Sequence, residues 1–247
     1  MNYSKWIQYF SNNRLNRVEP DWQAPIGMTK EQQARVLPSL AQFELGDGGG
    51  PASLIAHNAE SFRCSSDEMR TVVDLWFNEE KEHSRLLGGA VKRFNGTRIV
   101  SHWSFSAFCA TRRWLGVRFE LQVLLLTEIV STAYYRLLRR HIPDVAVKQM
   151  CSLVLRDEAG HILFHRDRLA AAGAKGWLWR LQFWLCGHAA ALMLWINHGP
   201  AIRFLGGSTA EFFREVRLEI SRFIRRLEAR TVLEVVPPAS PLNRSVA

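Results

Sequence analysis

Apolar side chains recur along this chain at spacings of three and four, and strand-like alternation persists nowhere beyond four or five residues. That pattern predicts an all-α protein. From Asp67 the apolar positions Met69, Val72, Val73, Trp76 and Phe77 run on toward Leu86 and Leu87, and Ser65 with Glu68 three residues later reads as a capping box. Asn95-Gly96 should close that helix. A second helix is expected from about Thr111 to His141, through Leu115, Phe119, Val123, Leu126, Ile129 and Val130. Pro143, at a first-turn position, should open a third that reaches about Ala172, before Gly173. Upstream, Lys30 to Arg63 reads as helical but interrupted by Pro38 and by the run Gly48 to Pro51. Two more helices are expected downstream, from Gly176 to about Asn197 and from Ser208 to about Glu234.

With 247 residues and no Pro/Gly/Ser-rich linker in its centre, the chain reads as one compact domain in four stretches. Residues 1–30 form a short helix (Tyr3 to Asn13) and an irregular arm through Pro20, Pro25 and Gly27, and residues 31–172 a helical bundle. Residues 173–236 add helices packed on that bundle, and residues 237–247 are a frayed, flexible tail. At 47% hydrophobic and 22% charged, the composition excludes disorder for most of the chain. Cys64, Cys109, Cys151 and Cys186 lie 45, 42 and 35 residues apart, which excludes a CxxC metal site. Four buried free thiols are expected. The opening MNYSKWIQYF lacks the apolar core of a signal peptide, so a cytoplasmic location is expected. Leu181 to Ile202 contains no Asp, Glu, Lys or Arg. Its Gln182, Gly187, His188, Asn197, His198 and Pro200 favour a buried or surface-docked helix over an interfacial or spanning one.

Candidate chemistry lies in two copies of one local pattern, Glu80-x-x-His83 and Glu158-x-x-His161. Residues i and i+3 share a helix face, so a carboxylate and an imidazole can reach one metal ion from a single helix. A dinuclear site also needs an acid from each facing helix. Glu158 stands 15 residues after the turn near Pro143, and Glu128 stands 15 before it, inside the apolar stretch Leu125 to Val130. An unpaired charge there would be costly, and a ligand role turns that cost into function. The same reflection of Glu80 about a turn near residue 65 points close to residue 50. Asp47 is the nearest acid, three residues or about 4.5 Å out of register. Glu44 is the next candidate, and the adjacent glycines conflict with a regular helix there. Residues 95–110 lack clear periodicity and are long enough to run back along a bundle helix, so the second and third bundle helices can lie parallel.

Asp47, Glu80-x-x-His83, Glu128 and Glu158-x-x-His161, spaced 33, 48 and 30 residues apart, resemble the ligand set of the ferritin-like non-haem di-iron carboxylate proteins. The likeness covers roughly residues 35–172. The segments FELGDGGGP, FNEEKEHSRLLG, TEIVSTAYYRLL and RDEAGHILFHRDRL look like bacterial ferritin-like domain proteins of poorly defined activity. The resemblance implies a four-helix bundle with a long crossover between its second and third helices. It implies two iron ions, with manganese or a mixed pair as alternatives, and dioxygen as co-substrate. Glu80 and Glu158 would bridge or chelate the irons, His83 and His161 would each bind one, and Glu128 and Asp47 would complete the shell. Glu80, Glu128 and Glu158 are also the candidate catalytic residues. Asp47 departs from the pattern, since relatives more often carry Glu there, and its shorter arm would weaken or open one iron position.

Several neighbours bear on this site. Asp157 and Glu79 stand four residues before His161 and His83 and could orient an imidazole, although solvated helix-face acids are the default. Tyr135 shares a face with Glu128 and could line an oxygen pocket or carry a radical, and His165 shares one with His161 and could tune or extend the site, although a core tyrosine and an ordinary amphipathic-face histidine are the default readings. A carboxylate-rich shell suits hard divalent ions and stabilises the trivalent state. The expected function is therefore a di-iron oxidase or oxygenase that hydroxylates, desaturates or oxidatively cleaves a small organic molecule, with an electron donor or acidic carrier protein as partner. Trp177, Trp179, Phe183, Trp184 and Trp195 would cover the substrate or enlarge the core. A ferroxidase or peroxide-reducing protein, and a metal-free binding protein, are the alternatives. The net charge of +9 and the triplets Arg136-Arg139-Arg140 and Arg222-Arg225-Arg226 raise nucleic acid or a peripheral membrane as partners. Interleaved Glu219 and Glu228 favour a solvated face instead, and nucleic acid is the weaker expectation. A dimer is compatible with all of this.

Overall fold

Nine helices account for most of the described residues, 1–49 and 53–235 of a computed structural model, and no strand occurs among them. They are α1 (Tyr3–Leu15), α2 (Lys30–Glu44), α3 (Ala59–Arg63), α4 (Asp67–Arg93), α5 (Trp103–Trp114), α6 (Val117–His141), α7 (Val145–Ala171), α8 (Trp177–Phe204) and α9 (Thr209–Val235). The tail expected from Pro237 lies outside the described residues.

Local chemistry sets the ends. Thr29 and Gln32 form a capping box at α2, and the helix then runs through Pro38 without a break. A π turn, Leu45–Gly49, continues it. The expected Ser65 cap is displaced by one residue: the Ser66 side chain accepts from the Met69 N–H. Pro143 does not open α7 from inside, because Asp144 caps it by accepting from Val147 and also binds Arg93 at 3.0 Å. The crossover is not irregular throughout. His102 caps α5 there, and the helix expected from Thr111 is broken at Leu115-Gly116, where Gly116 takes φ +87°. α8 also continues past Asn197, through Pro200 to Phe204.

The long helices pack in sequence-distant pairs. Leu37, Glu44 and Gly48 of the α2 stretch meet Gly96, Gly88 and Ser84, so α2 runs antiparallel to α4. Glu79 meets His161 and His83 meets Asp157, so α4 runs antiparallel to α7. α6 returns directly into α7, which leaves α4 and α6 parallel. α9 lies against α6 through Arg136–Glu219 and Arg140–Glu211, so these two arginines bridge helices while Arg140 stays exposed to solvent. α1 lies on α4, with Trp6 against Phe164; the missing side chain at Gly160 admits the Tyr9 ring, which a Cβ there would meet at 2.4 Å.

Two apolar clusters result. One holds Leu40, Leu86, Leu125, Tyr134, Met150 and Phe212, and the other Trp6, Phe10, Trp76, Leu121 and Phe164. On α4 and α6 the residues pass from one cluster to the other through a short buried polar layer. Of the four free thiols only Cys151 is buried, with burial pushing it up to about 12, while Cys64 is exposed. No described helix is long and apolar enough to cross a membrane.

Candidate metal centre

The polar layer contains all six residues singled out by spacing, brought from α4, α6, α7 and the π turn. Asp47, Glu80 and His83 present ligand atoms within 4.8 Å of one another, and Glu80, Glu128 and His161 do the same. Glu80 belongs to both groups. Its Oε1 stands 3.1 Å from His161 Nδ1, and its Oε2 stands 3.5 Å from His83 Nδ1. Glu158 divides in the same way, with Oε1 at 3.9 Å from His83 Nδ1 and Oε2 at 3.6 Å from His161 Nδ1. Each of these two carboxylates thus addresses both imidazoles, one oxygen to each, while Asp47 and Glu128 stand at opposite ends.

The π turn decides the first-helix residue. It adds backbone beyond α2 and takes up the register gap, so that Asp47 joins the group while Glu44, buried one turn earlier, pairs with Arg98. Asp47 keeps partial exposure because it faces a cavity.

The imidazoles are oriented crosswise. His83 on α4 donates Nε2–H to Asp157 on α7 at 3.1 Å, and His161 on α7 donates Nε2–H to Glu79 on α4 at 2.9 Å. Both acids are buried, so neither lies on a solvated helix face. Asp157 is further held by Arg17 from the N-terminal arm. Burial alone would raise its carboxyl, but His83 and Arg17 bring it down to about 2. With Nε2 committed, both Nδ1 atoms turn inward. They are buried without a hydrogen-bond partner, as are both oxygens of Glu128 and Oε2 of Glu158. Orphaned buried polar atoms of this kind are costly unless something unites them.

Electrostatics point the same way. Burial, reinforced by Glu80, holds Asp47 well above the ordinary carboxyl range, and burial does the same for Glu128. Burial would also raise Glu80, but His161 and His83 outweigh it and hold the group low. Burial disfavours the His83 and His161 cations, yet surrounding carboxylates carry both imidazoles above their usual value. The cluster therefore balances its charge with protons that a cation would replace. Nitrogen and carboxylate donors in two groups sharing Glu80, with Glu158 beside both imidazoles, fit a pair of hard to borderline divalent ions.

Two contacts escaped the sequence reading, and His165 departs from its default one. Trp76 donates to Glu80 Oε1 at 3.2 Å, an i, i+4 pair visible in hindsight. His165 is fully buried, with Nδ1 accepting from Arg168 and Nε2 3.6 Å from Glu128 Oε1, too far for a hydrogen bond, so it stands beside Glu128 and is not a surface histidine. Arg112 and Glu120 form a buried pair at 2.9 Å that also fixes the backbone of Ile55 and Ala56. Tyr135 is buried with an unpartnered hydroxyl, and burial and the nearby Asp47 keep it protonated.

Beside the four carboxylates opens a cavity of about 510 Å³. Asp47, Glu80, Glu128 and Glu158 form its polar base, and Phe43, Phe105, Phe108, Leu126 and Leu194 are among its apolar walls. α5 and α8 supply the far walls, α8 through Cys186, Ala190, Met193 and Leu194; none of Trp177, Trp179, Phe183, Trp184 and Trp195 lines the cavity. Comparison with family models, curated proteins and solved structures finds no match.

Proposed function

We propose that the chain is a ferritin-like di-metal carboxylate protein acting as an oxidase or oxygenase on a small, largely apolar organic substrate. The observation that carries this reading is the pair of three-residue groups sharing Glu80, with inward Nδ1 atoms that have no partner, at the base of an apolar cavity. α2, α4, α6 and α7 supply the bundle, and Asp47, Glu80, His83, Glu128, Glu158 and His161 would hold the two ions. The chemistry that two iron ions supply in such a shell is reductive activation of dioxygen, with manganese as an alternative occupant.

The chain's own residues do the rest. Asp157 and Glu79 hold the imidazoles in the tautomer that offers Nδ1. Phe43, Phe105, Leu126 and Leu194 exclude water and seat an apolar substrate against Glu128 and Glu158. A cavity of this size and lining suits an organic substrate better than iron storage.

The test is elemental analysis of protein from iron-supplemented culture, beside Glu128→Ala and His161→Ala, with absorption spectra after anaerobic iron loading and exposure to oxygen. Stoichiometric iron lost in both variants, with a new near-ultraviolet band on oxygenation, supports the reading. Folded wild-type protein that takes up no metal sinks it, and leaves a metal-free binding protein. Rapid iron oxidation and mineral formation would move the reading to a ferroxidase.

A further inference from the structure

The cavity mouth opens between α5 and α8, where Ala107, Thr111, Ala189 and Met193 line the cavity and are themselves exposed. Around that mouth the surface is unusually apolar. Of nineteen large apolar side chains exposed among the described residues, twelve belong to α5, α8 or the adjoining Leu115 and include Trp103, Trp114, Trp177, Trp184, Leu185 and Ile196. Trp177 is 65% exposed and Trp114 75%. Exposed apolar side chains concentrated on two helices in this way mark an interaction surface more often than singly scattered ones do.

The segments that carry this surface are free of acids, although Glu228 of α9 reaches Arg180 of α8 at 2.8 Å. Residues 95–119 and 172–210 contain no Asp or Glu, so all 23 acids of the chain lie elsewhere. Arg113, Arg118, Lys175 and Arg203 are exposed on these segments and form no ion pair among the described residues. Apolar side chains, four exposed tryptophans and unpaired basic residues are the composition that seats a helix in a lipid headgroup layer. Tryptophans serve protein interfaces as well; the unpaired basic residues and the lack of acids on these segments favour an anionic lipid surface. No described helix can cross the bilayer, so the fit is to its surface.

We propose that the α5 and α8 face docks on anionic phospholipid bilayers, placing the cavity mouth against the lipid so that a membrane-dissolved substrate enters without crossing water. The docking needs no metal; only the delivery of a substrate for oxidation rests on the reading above.

Co-sedimentation with phosphatidylcholine vesicles, with and without phosphatidylglycerol, tests it on the full chain before and after chelation. The expected result is binding to anionic vesicles that weakens with salt, survives chelation and shifts tryptophan emission to the blue. Arg113→Gln and Arg118→Gln should each weaken binding about fivefold, and Leu185→Glu with Ile196→Glu about tenfold or more. Neither pair lines the cavity, and circular dichroism checks their folding. Absence of binding to both vesicles overturns the proposal, as does salt-independent binding that ignores phosphatidylglycerol. A solution dimer dispersed by Leu185→Glu also overturns it, since a second copy then covers the face. Vesicle binding without metal uptake, or the reverse, separates failure of the oxidase reading from failure of the docking.

Discussion

At the residue scale, the crosswise pairs explain why buried acids beyond the six central residues are tolerated. Asp157 has His83, Arg17 and Arg156 as partners, so its charge is compensated. Asp157→Asn keeps the shape but weakens the hold on the His83 ring. We expect metal affinity to fall about 10–100-fold, measured by competition with a chromophoric chelator. Unchanged affinity would show that the ring needs no such anchor. His198 behaves differently. Its Nδ1 lies 2.8 Å from Ser39 Oγ, and burial brings its pKa down from 6.5 to about 3. The folded chain therefore keeps this imidazole neutral while the unfolded chain protonates it below pH 6.5. Its stabilising contribution is complete above that pH and drains as pH falls toward 3, at no more than about 1.4 kcal/mol per unit. Urea unfolding of metal-free protein between pH 7 and 5 should thus show a shallower loss in His198→Gln than in the wild type.

At the element scale, two irregularities build the site. The π turn after α2 brings Asp47 into the cluster, and the break at Leu115-Gly116 turns one expected helix into α5 and α6. Gly116 has φ +87° and ψ 177°, a conformation open essentially to glycine alone, and a Cβ there would stand 3.1 Å from Asn58 Oδ1. Gly116→Ala should cost about 1–3 kcal/mol, read from the denaturant midpoint. A variant as stable as the wild type would mean that the junction relaxes freely. Helix existence was legible from the 3.6-residue period in helices such as α4, which bury one face, and from length in α6, where every position from Glu128 to Tyr135 is buried. The break was not, because the apolar period runs through Leu115 and only a glycine with positive φ interrupts it. The Ser65 cap failed for a smaller reason: Ser65 and Ser66 are chemically equal candidates, and the start of the α4 backbone chooses between them.

At the scale of the whole molecule, the candidate centre lies at the seam between two apolar clusters, where α4, α6 and α7 each contribute buried charge. Folding carries the cost of gathering these carboxylates, and a ligand that binds only the folded chain returns it by mass action. Metal at about one hundred times its dissociation constant should stabilise the fold by about 2.7 kcal/mol, seen as a rise in melting temperature. Glu128→Gln should be at least as stable as the wild type without metal and should lose that rise. A variant that melts lower without metal and still responds to it would remove Glu128 from the centre.

The two E-x-x-H motifs and the buried Glu128 were readable in the linear order because a helix fixes which residues share a face at i and i+3. The chain alone thus settled the all-α class and which side chains could meet along each helix. It did not settle which helix's imidazole an acid would serve. Asp157 and Glu79 stand four residues before their own histidines yet bind the other's, since the antiparallel register of α4 and α7 brings position 157 beside 83 and 79 beside 161. Asp47 over Glu44, His165 beneath Glu128 and the cavity between α5 and α8 were decided in the same way, because distances between helices depend on how all of them pack.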